Sequence, residues 1–142
     1  MRKRFYKAFG NQKFLRNIVL KEKYRRQISV TPSDVNVQSI DEQFLLKLTG
    51  IIENEISNPA MDVEFISNEI GLSRPQLYRK IKALTGLSIN QFIRTLRLKR
   101  AAQLLEKKSA TVSETAYMTG FENLSYFTKK FKEEFGKLPS EY

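Results

Sequence analysis

The chain contains neither cysteine nor histidine. The first absence excludes disulfides, thiolate nucleophiles and cysteine-ligated metals. The second removes the commonest general base and the commonest metal ligand. Nowhere do about 18 apolar residues run together, as a membrane-spanning helix would need. The basic start, residues 1–10, lacks the apolar stretch and small-residue cleavage site of a signal peptide. Phosphate-binding loops, nucleophile elbows and carboxylate pairs at usable spacing are missing too. No enzyme activity, cofactor, metal or small-molecule ligand is therefore expected of this chain, and a cytoplasmic binding module is. In that setting the triplet Asn123-Leu124-Ser125, which fits a glycosylation sequon, has no consequence.

What the chain does hold is apolar content and positive charge. With 41% hydrophobic residues among 142 it can bury a core, or two small cores sharing a helix. Twenty-five Lys and Arg against 15 Asp and Glu leave a formal charge of +10, which favours a polyanionic partner over a neutral one. Residues 1–30 are the most basic part, with Glu22 their one acid. Phe5 with Phe9, and Phe14 with Ile18, have the spacing of amphipathic helices, and Gly10-Asn11 interrupts them. Residues 29–40 are polar and read as a linker, so 1–38 is expected to be a basic arm and 39–142 the folded domain.

From residue 41 the pattern is helical. Four capping boxes mark helix starts, at Ser39–Glu42, Ser73–Gln76, Ser88–Gln91 and Thr111–Glu114. Gly71, Gly86, Gly120 and Gly136 stand where helices should end. Helices are expected near 40–57, 62–70, 74–85, 89–107, 112–119 and 124–135, with a short one from 139. The expected fold class is all-α.

Two stretches repeat one plan. DVEFISNEIGLSRPQLYRKI (62–81) and TVSETAYMTGFENLSYFTKKF (111–131) each give a short helix, a Gly followed by a large apolar residue, and a basic amphipathic helix. The apolar stripes are Leu77, Ile81 and Leu84 in the first, and Phe127, Phe131 and Phe135 in the second. This is the pattern of two helix-turn-helix units, at about 62–85 and 111–135. The helix between them, about 88–107, changes sides. Ile89, Phe92, Ile93 and Leu96 share one face, and Leu98, Ala101, Ala102 and Leu105 the roughly opposite one. Such a helix can serve two subdomains and hold two recognition helices about one turn of B-DNA apart.

Residues 41–142 resemble the AraC/XylS-type DNA-binding domain over essentially its whole length. The signature lies in RLKRAAQLLEKKSATVSETAYMTGFENLSYFTKKFKEEFGKLPSEY (97–142), and LSRPQLYRKIKALTGLSINQFIR (72–94) matches the first unit. The resemblance implies two helix-turn-helix subdomains on a long shared helix, about seven helices in all. It also implies sequence-specific binding of double-stranded promoter DNA and transcription activation with RNA polymerase as partner. Residues 21–50, together with the first unit, look like hybrid two-component regulators. That implies an upstream receiver or sensor domain in a larger protein, one that could carry a sensor histidine kinase.

The residues expected to meet DNA in the first unit are Arg74, Pro75, Gln76, Tyr78, Arg79 and Lys82. The family's base-reading positions fall on Pro75, Tyr78 and Arg79. Arg79 suits bidentate pairing with guanine. Pro75 offers apolar contact to a thymine methyl, or is simply a favourable first-turn residue. In the second unit the positions are Asn123, Leu124, Ser125, Thr128 and Lys129, with Asn123 read first as a helix cap. Their chemistry suits phosphate anchoring more than base discrimination. Arg94, Arg97, Lys99 and Arg100 on the linking helix are read first as a solvated face, with phosphate contact the alternative for some. Glu53, Glu55, Asp62, Glu64 and Glu69 are read as a solvated side turned away from DNA, with contact to polymerase or an upstream domain the alternative. The competing readings are an RNA-binding or a membrane-surface module working through the basic N-terminal segment.

Overall fold

In the computed structural model, Ser73, Ser88 and Thr111 each open a helix with a closed capping box, giving one backbone N–H to the Gln or Glu three residues on and receiving that residue's own N–H. Ser39 makes the forward half, accepting the Glu42 N–H at 3.1 Å. The structure describes residues 39–142. The basic arm, with its Phe5–Phe9 and Phe14–Ile18 spacings and the Gly10-Asn11 interruption, lies outside the described residues.

Six helices follow: α1 (Ile40–Asn54), α2 (Val63–Ile70), α3 (Arg74–Thr85), α4 (Ile89–Glu106), α5 (Val112–Met118) and α6 (Leu124–Phe135), with a 3-10 turn at Pro139–Glu141. Among the described residues there is no strand, and no helix is long and apolar enough to cross a membrane. The fold class is all-α, as the sequence implied. α1 is shorter than expected, stopping at Asn54 instead of running to 57. Asn58 competes for the backbone there. Its N–H bonds Glu55 O at 2.9 Å, its side-chain amide bonds Glu55 Oε2 at 3.2 Å, and its Oδ1 accepts the Ala60 N–H at 2.9 Å. Pro59 then disfavours helical geometry at Asn58 itself.

The helices bury two separate apolar clusters. Leu45, Leu48 and Ile52 of α1 pack with Ile66, Leu77 and Ile81 and with Ile89, Phe92, Ile93 and Leu96. Leu98, Ala101, Ala102 and Leu105 pack instead with Ala116, Phe121, Phe127, Phe131 and Phe135. The switch of face along α4 therefore places its first half in one core and its second half in the other, as its periodicity indicated.

The cap at Thr111 carries a pH signature. The Glu114 carboxyl lies below its ordinary value, first because the Thr111 backbone N–H donates to it at 3.0 Å and then because of the Thr111 hydroxyl. A carboxyl depressed in the folded state adds stability above its unfolded pKa, and that stability fades as pH falls through the folded value. Glu114→Gln should therefore be less stable than the parent at neutral pH, and the gap should close in acid. Urea midpoints measured across the carboxylate range will show this, and a gap independent of pH would rule out the charge as its source.

Candidate nucleic-acid interface

Each repeat turns in the same way. In the first, Gly71 adopts φ 80°, and the Gly71 and Leu72 N–H groups both bond Ser67 O, at 2.9 and 3.2 Å. Ser67 also donates its hydroxyl to the Leu72 carbonyl. In the second, Gly120 has φ 85° and the Phe121 N–H reaches Ala116 O at 2.9 Å. Non-glycine residues are strained in this left-handed geometry. The apolar residue after the glycine fills the angle between the helices more fully in the second unit, where Phe121 is buried and meets Phe127 with ring centroids 5.0 Å apart. Leu72 is half-buried.

The second helix of each unit, α3 or α6, turns its stripe inward and leaves the other side open. Leu77, Ile81, Phe127 and Phe131 are all 0% exposed. On the outer side of α3, Arg74, Pro75, Gln76, Tyr78, Arg79 and Lys82 are all exposed. Two of these side chains have local work. Gln76 Oε1 accepts the Ser73 N–H at 2.9 Å, and Lys82 Nζ donates to the Gly86 carbonyl at 2.8 Å. Tyr78 and Arg79 have no such commitment shown, and Tyr78 keeps 45% of its surface. Pro75 stands in the first turn of α3, where the helix needs no N–H from it.

On α6, Asn123 caps the helix by accepting the Tyr126 N–H at 2.8 Å. Leu124, Ser125 and Lys129 are exposed, and Thr128 is half-buried. Tyr126 is packed on one side and open on the other. Its ring sits 6.3 Å from that of Phe121, while 44% of it is exposed and its hydroxyl accepts from Arg94 Nη1 at 3.5 Å.

The basic residues of α4 do not form a solvated face. Lys99 is buried, only 3% exposed. Arg94 reaches Tyr126, Arg97 Nη2 donates to the Asn58 carbonyl at 2.9 Å, and Arg100 pairs with Glu53 at 3.9 Å. Desolvation by burial lowers the Arg97 pKa from its ordinary value, and a guanidinium in such a site stays charged near neutrality. Helical geometry explains the correction. At about 100° per residue, Arg94 lies in the sector of the second apolar face and Arg100 in that of the first. Arg94 sits before its sector becomes apolar and Arg100 after its sector has ceased to be, so each side chain can reach the subdomain on that side. Lys99 falls at the crossover, flanked by both cores. The acidic residues are likewise occupied in part, since Asp62 caps α2 by accepting the Phe65 N–H at 2.9 Å. A cleft of about 350 Å³ opens between the subdomains, lined in part by Ile93, Arg94, Arg97, Phe121, Asn123 and Tyr126.

Residues 66–142 match a family described as a helix-turn-helix domain. Over 123 residues the chain is 44% identical to histidine kinase P4 of Formosa agariphila, covering 87% of this chain and 9% of that protein. The chain spans between 9% and 53% of the length of the first curated relatives it matches. Among solved structures, an AraC-type transcriptional regulator from Chromobacterium violaceum superposes with a TM-score of 0.65 at 27% identity, covering 70% of this chain and 88% of that one. The DNA-binding domain of AdpA, a global transcriptional factor solved with a target DNA, superposes with a TM-score of 0.62 at 26% identity, covering 70% and 87%.

Proposed function

The chain belongs to the AraC-type helix-turn-helix family of DNA-binding transcription regulators, and from that premise we propose that it reads two successive major-groove segments, α3 entering one and α6 the next. The observation that carries this reading is the shared helix. α4 puts its two halves into two cores, and its 18 residues span about 27 Å. One turn of B-DNA is about 34–36 Å, so a helix of that length suits two reading heads on one face of the duplex. Residues 39–142 would form this domain, with units at about 62–85 and 111–135. Residues 1–38 hold ten of the 25 Lys and Arg and two of the 15 Asp and Glu, and would act as a basic arm adding affinity without sequence choice.

In this reading Tyr78 and Arg79 reach base edges, with Arg79 pairing to guanine. Arg74, Pro75, Gln76 and Lys82 flank them, Gln76 and Lys82 keeping the bonds that hold the ends of α3. On α6, Leu124, Ser125, Thr128 and Lys129 face the second segment, and Asn123 holds the helix start. The similarity to a histidine kinase over so small a part of that protein supports a further step. The chain would be the output module of a hybrid two-component protein, activating transcription with RNA polymerase when an upstream receiver or sensor domain signals.

Site selection from a random duplex library tests the core of the proposal. Two short elements about one helical turn apart are expected. Enrichment without sequence preference, or tighter binding to RNA or anionic vesicles, would overturn it in favour of the N-terminal segment. On the selected site, Arg79→Ala should cost about 1–3 kcal/mol and relax preference at one base. An equal loss on scrambled duplex would make Arg79 a phosphate contact. Lys129→Ala should lower the slope of log K against log salt by about one, with sequence preference retained. If the slope stays put, Lys129 does not meet DNA.

A further inference from the structure

The two cores share α4 but pack on opposite sides of it. A unit held by one helix alone would be able to pivot about that helix. A contact off the helix axis removes this freedom, and the structure has one. The turn of the second unit comes against the first subdomain at Gly120, where an added Cβ would lie 2.6 Å from the Ile56 carbonyl oxygen and 2.9 Å from Arg97 Cζ. Arg97 fills the same junction, its Nη2 donating to Asn58 O at 2.9 Å. Its Nε is buried with no hydrogen-bond partner among the described residues, so much of the guanidinium is there as a packed slab.

The surface it packs on is itself stiff. Asn58 O also accepts the Met61 N–H at 3.2 Å, and the Asn58 side chain ties the turn at both ends. We propose that Arg97 is a positioning residue which, wedged between the Ile56–Asn58 turn and Gly120, sets the orientation of the second helix-turn-helix unit against the first and so the separation of the two DNA elements the chain accepts. The statement about DNA rests on the two-unit reading above; the statement about orientation does not.

The guanidinium suits this task because it is planar and rigid and offers several donors in one plane, whereas a lysine ammonium is a flexible point charge. Rotating the second unit about α4 would drag Gly120 across Arg97 and break the bond to Asn58. Changing an operator spacer by one base pair displaces an element by about 3.4 Å and about 35°. A locked pair of units cannot follow that change, while a pivoting pair can.

The cysteine-free chain allows a direct test. Spin labels at Ala83→Cys in the first unit and Ser113→Cys in the second, both exposed positions, report the distance distribution between units in the 142-residue chain. Arg97→Ala should broaden it, and Arg97→Lys should broaden it less. On DNA, the parent should lose about tenfold in affinity when the selected spacer is lengthened or shortened by one base pair, and Arg97→Ala should lose less than about threefold. Its salt slope should stay unchanged. An unaltered distance distribution in Arg97→Ala overturns the positioning role, and full spacing discrimination in that variant overturns its consequence for DNA. A salt slope lowered by about one with discrimination intact would make Arg97 a phosphate contact instead. If Arg97→Ala does not fold, Arg97→Lys decides by the same readings. A parent that selects no paired elements overturns the two-unit reading, and the label distances still judge Arg97.

Discussion

Gly120→Ala is expected to destabilise the domain by about 2–5 kcal/mol, far more than the same change at Gly86. Both glycines have positive φ, at 85° and 76°, so alanine meets the same left-handed penalty of about 1–2 kcal/mol at either place. The difference lies in the surroundings. A Cβ at Gly86 finds nothing within 4 Å, whereas at Gly120 it would enter the Ile56 carbonyl and the Arg97 guanidinium. The Ile56 oxygen is backbone and cannot swing away, so the second unit must shift or the junction must open. Urea unfolding of the two variants beside the parent measures this. Equal losses would mean that the close approach at Gly120 relaxes at no cost, and would leave only the backbone term.

Phe131→Ala is expected to cost about 3–5 kcal/mol and to do its damage in the second unit. Phe131 is 0% exposed and stands at the centre of an aromatic cluster. Its ring centroid lies 5.6 Å from that of Phe127, 4.6 Å from Phe135 and 5.4 Å from Tyr142, the last two edge-on. Such pairs contribute beyond the area they bury, and a cavity among fixed rings cannot collapse easily. Because the cores are separate, hydrogen exchange should lose protection in α5 and α6 well before α1 to α3. Equal loss in all helices would show that α4 couples the two cores into one cooperative unit.

Most of the helices were legible in the sequence because their ends are decided locally. Ser or Thr with Gln or Glu three residues on closes a cap using atoms within one turn, and a glycine ends the helix wherever positive φ is needed. The division of α4 between two cores was legible too, because periodicity alone sorts Phe92 and Leu96 from Ala102 and Leu105. The end of α1 was not, since it depends on Asn58, whose N–H takes the Glu55 carbonyl while its side chain takes the Glu55 carboxylate and the Ala60 N–H.

The charged residues show where such reading stops. Arg94, Arg97, Lys99 and Arg100 look like a solvated face in one dimension, yet one is buried and the others reach Tyr126, Asn58 and Glu53. In the same way Lys82 carries a structural bond to the Gly86 carbonyl that the spacing of a recognition helix does not reveal, whereas Gln76 was already marked by its spacing from Ser73 as half of a capping box.

By itself, then, the sequence determined the all-α class, the helix starts, the repeated turn and the family, because each rests on contacts within a few residues or on a periodic pattern. Only the tertiary structure decided what the basic residues of α4 touch and why Gly120 must be bare. Those contacts join residues far apart in the chain, such as Arg97 with Asn58, and they exist only once two cores have packed on opposite sides of one helix.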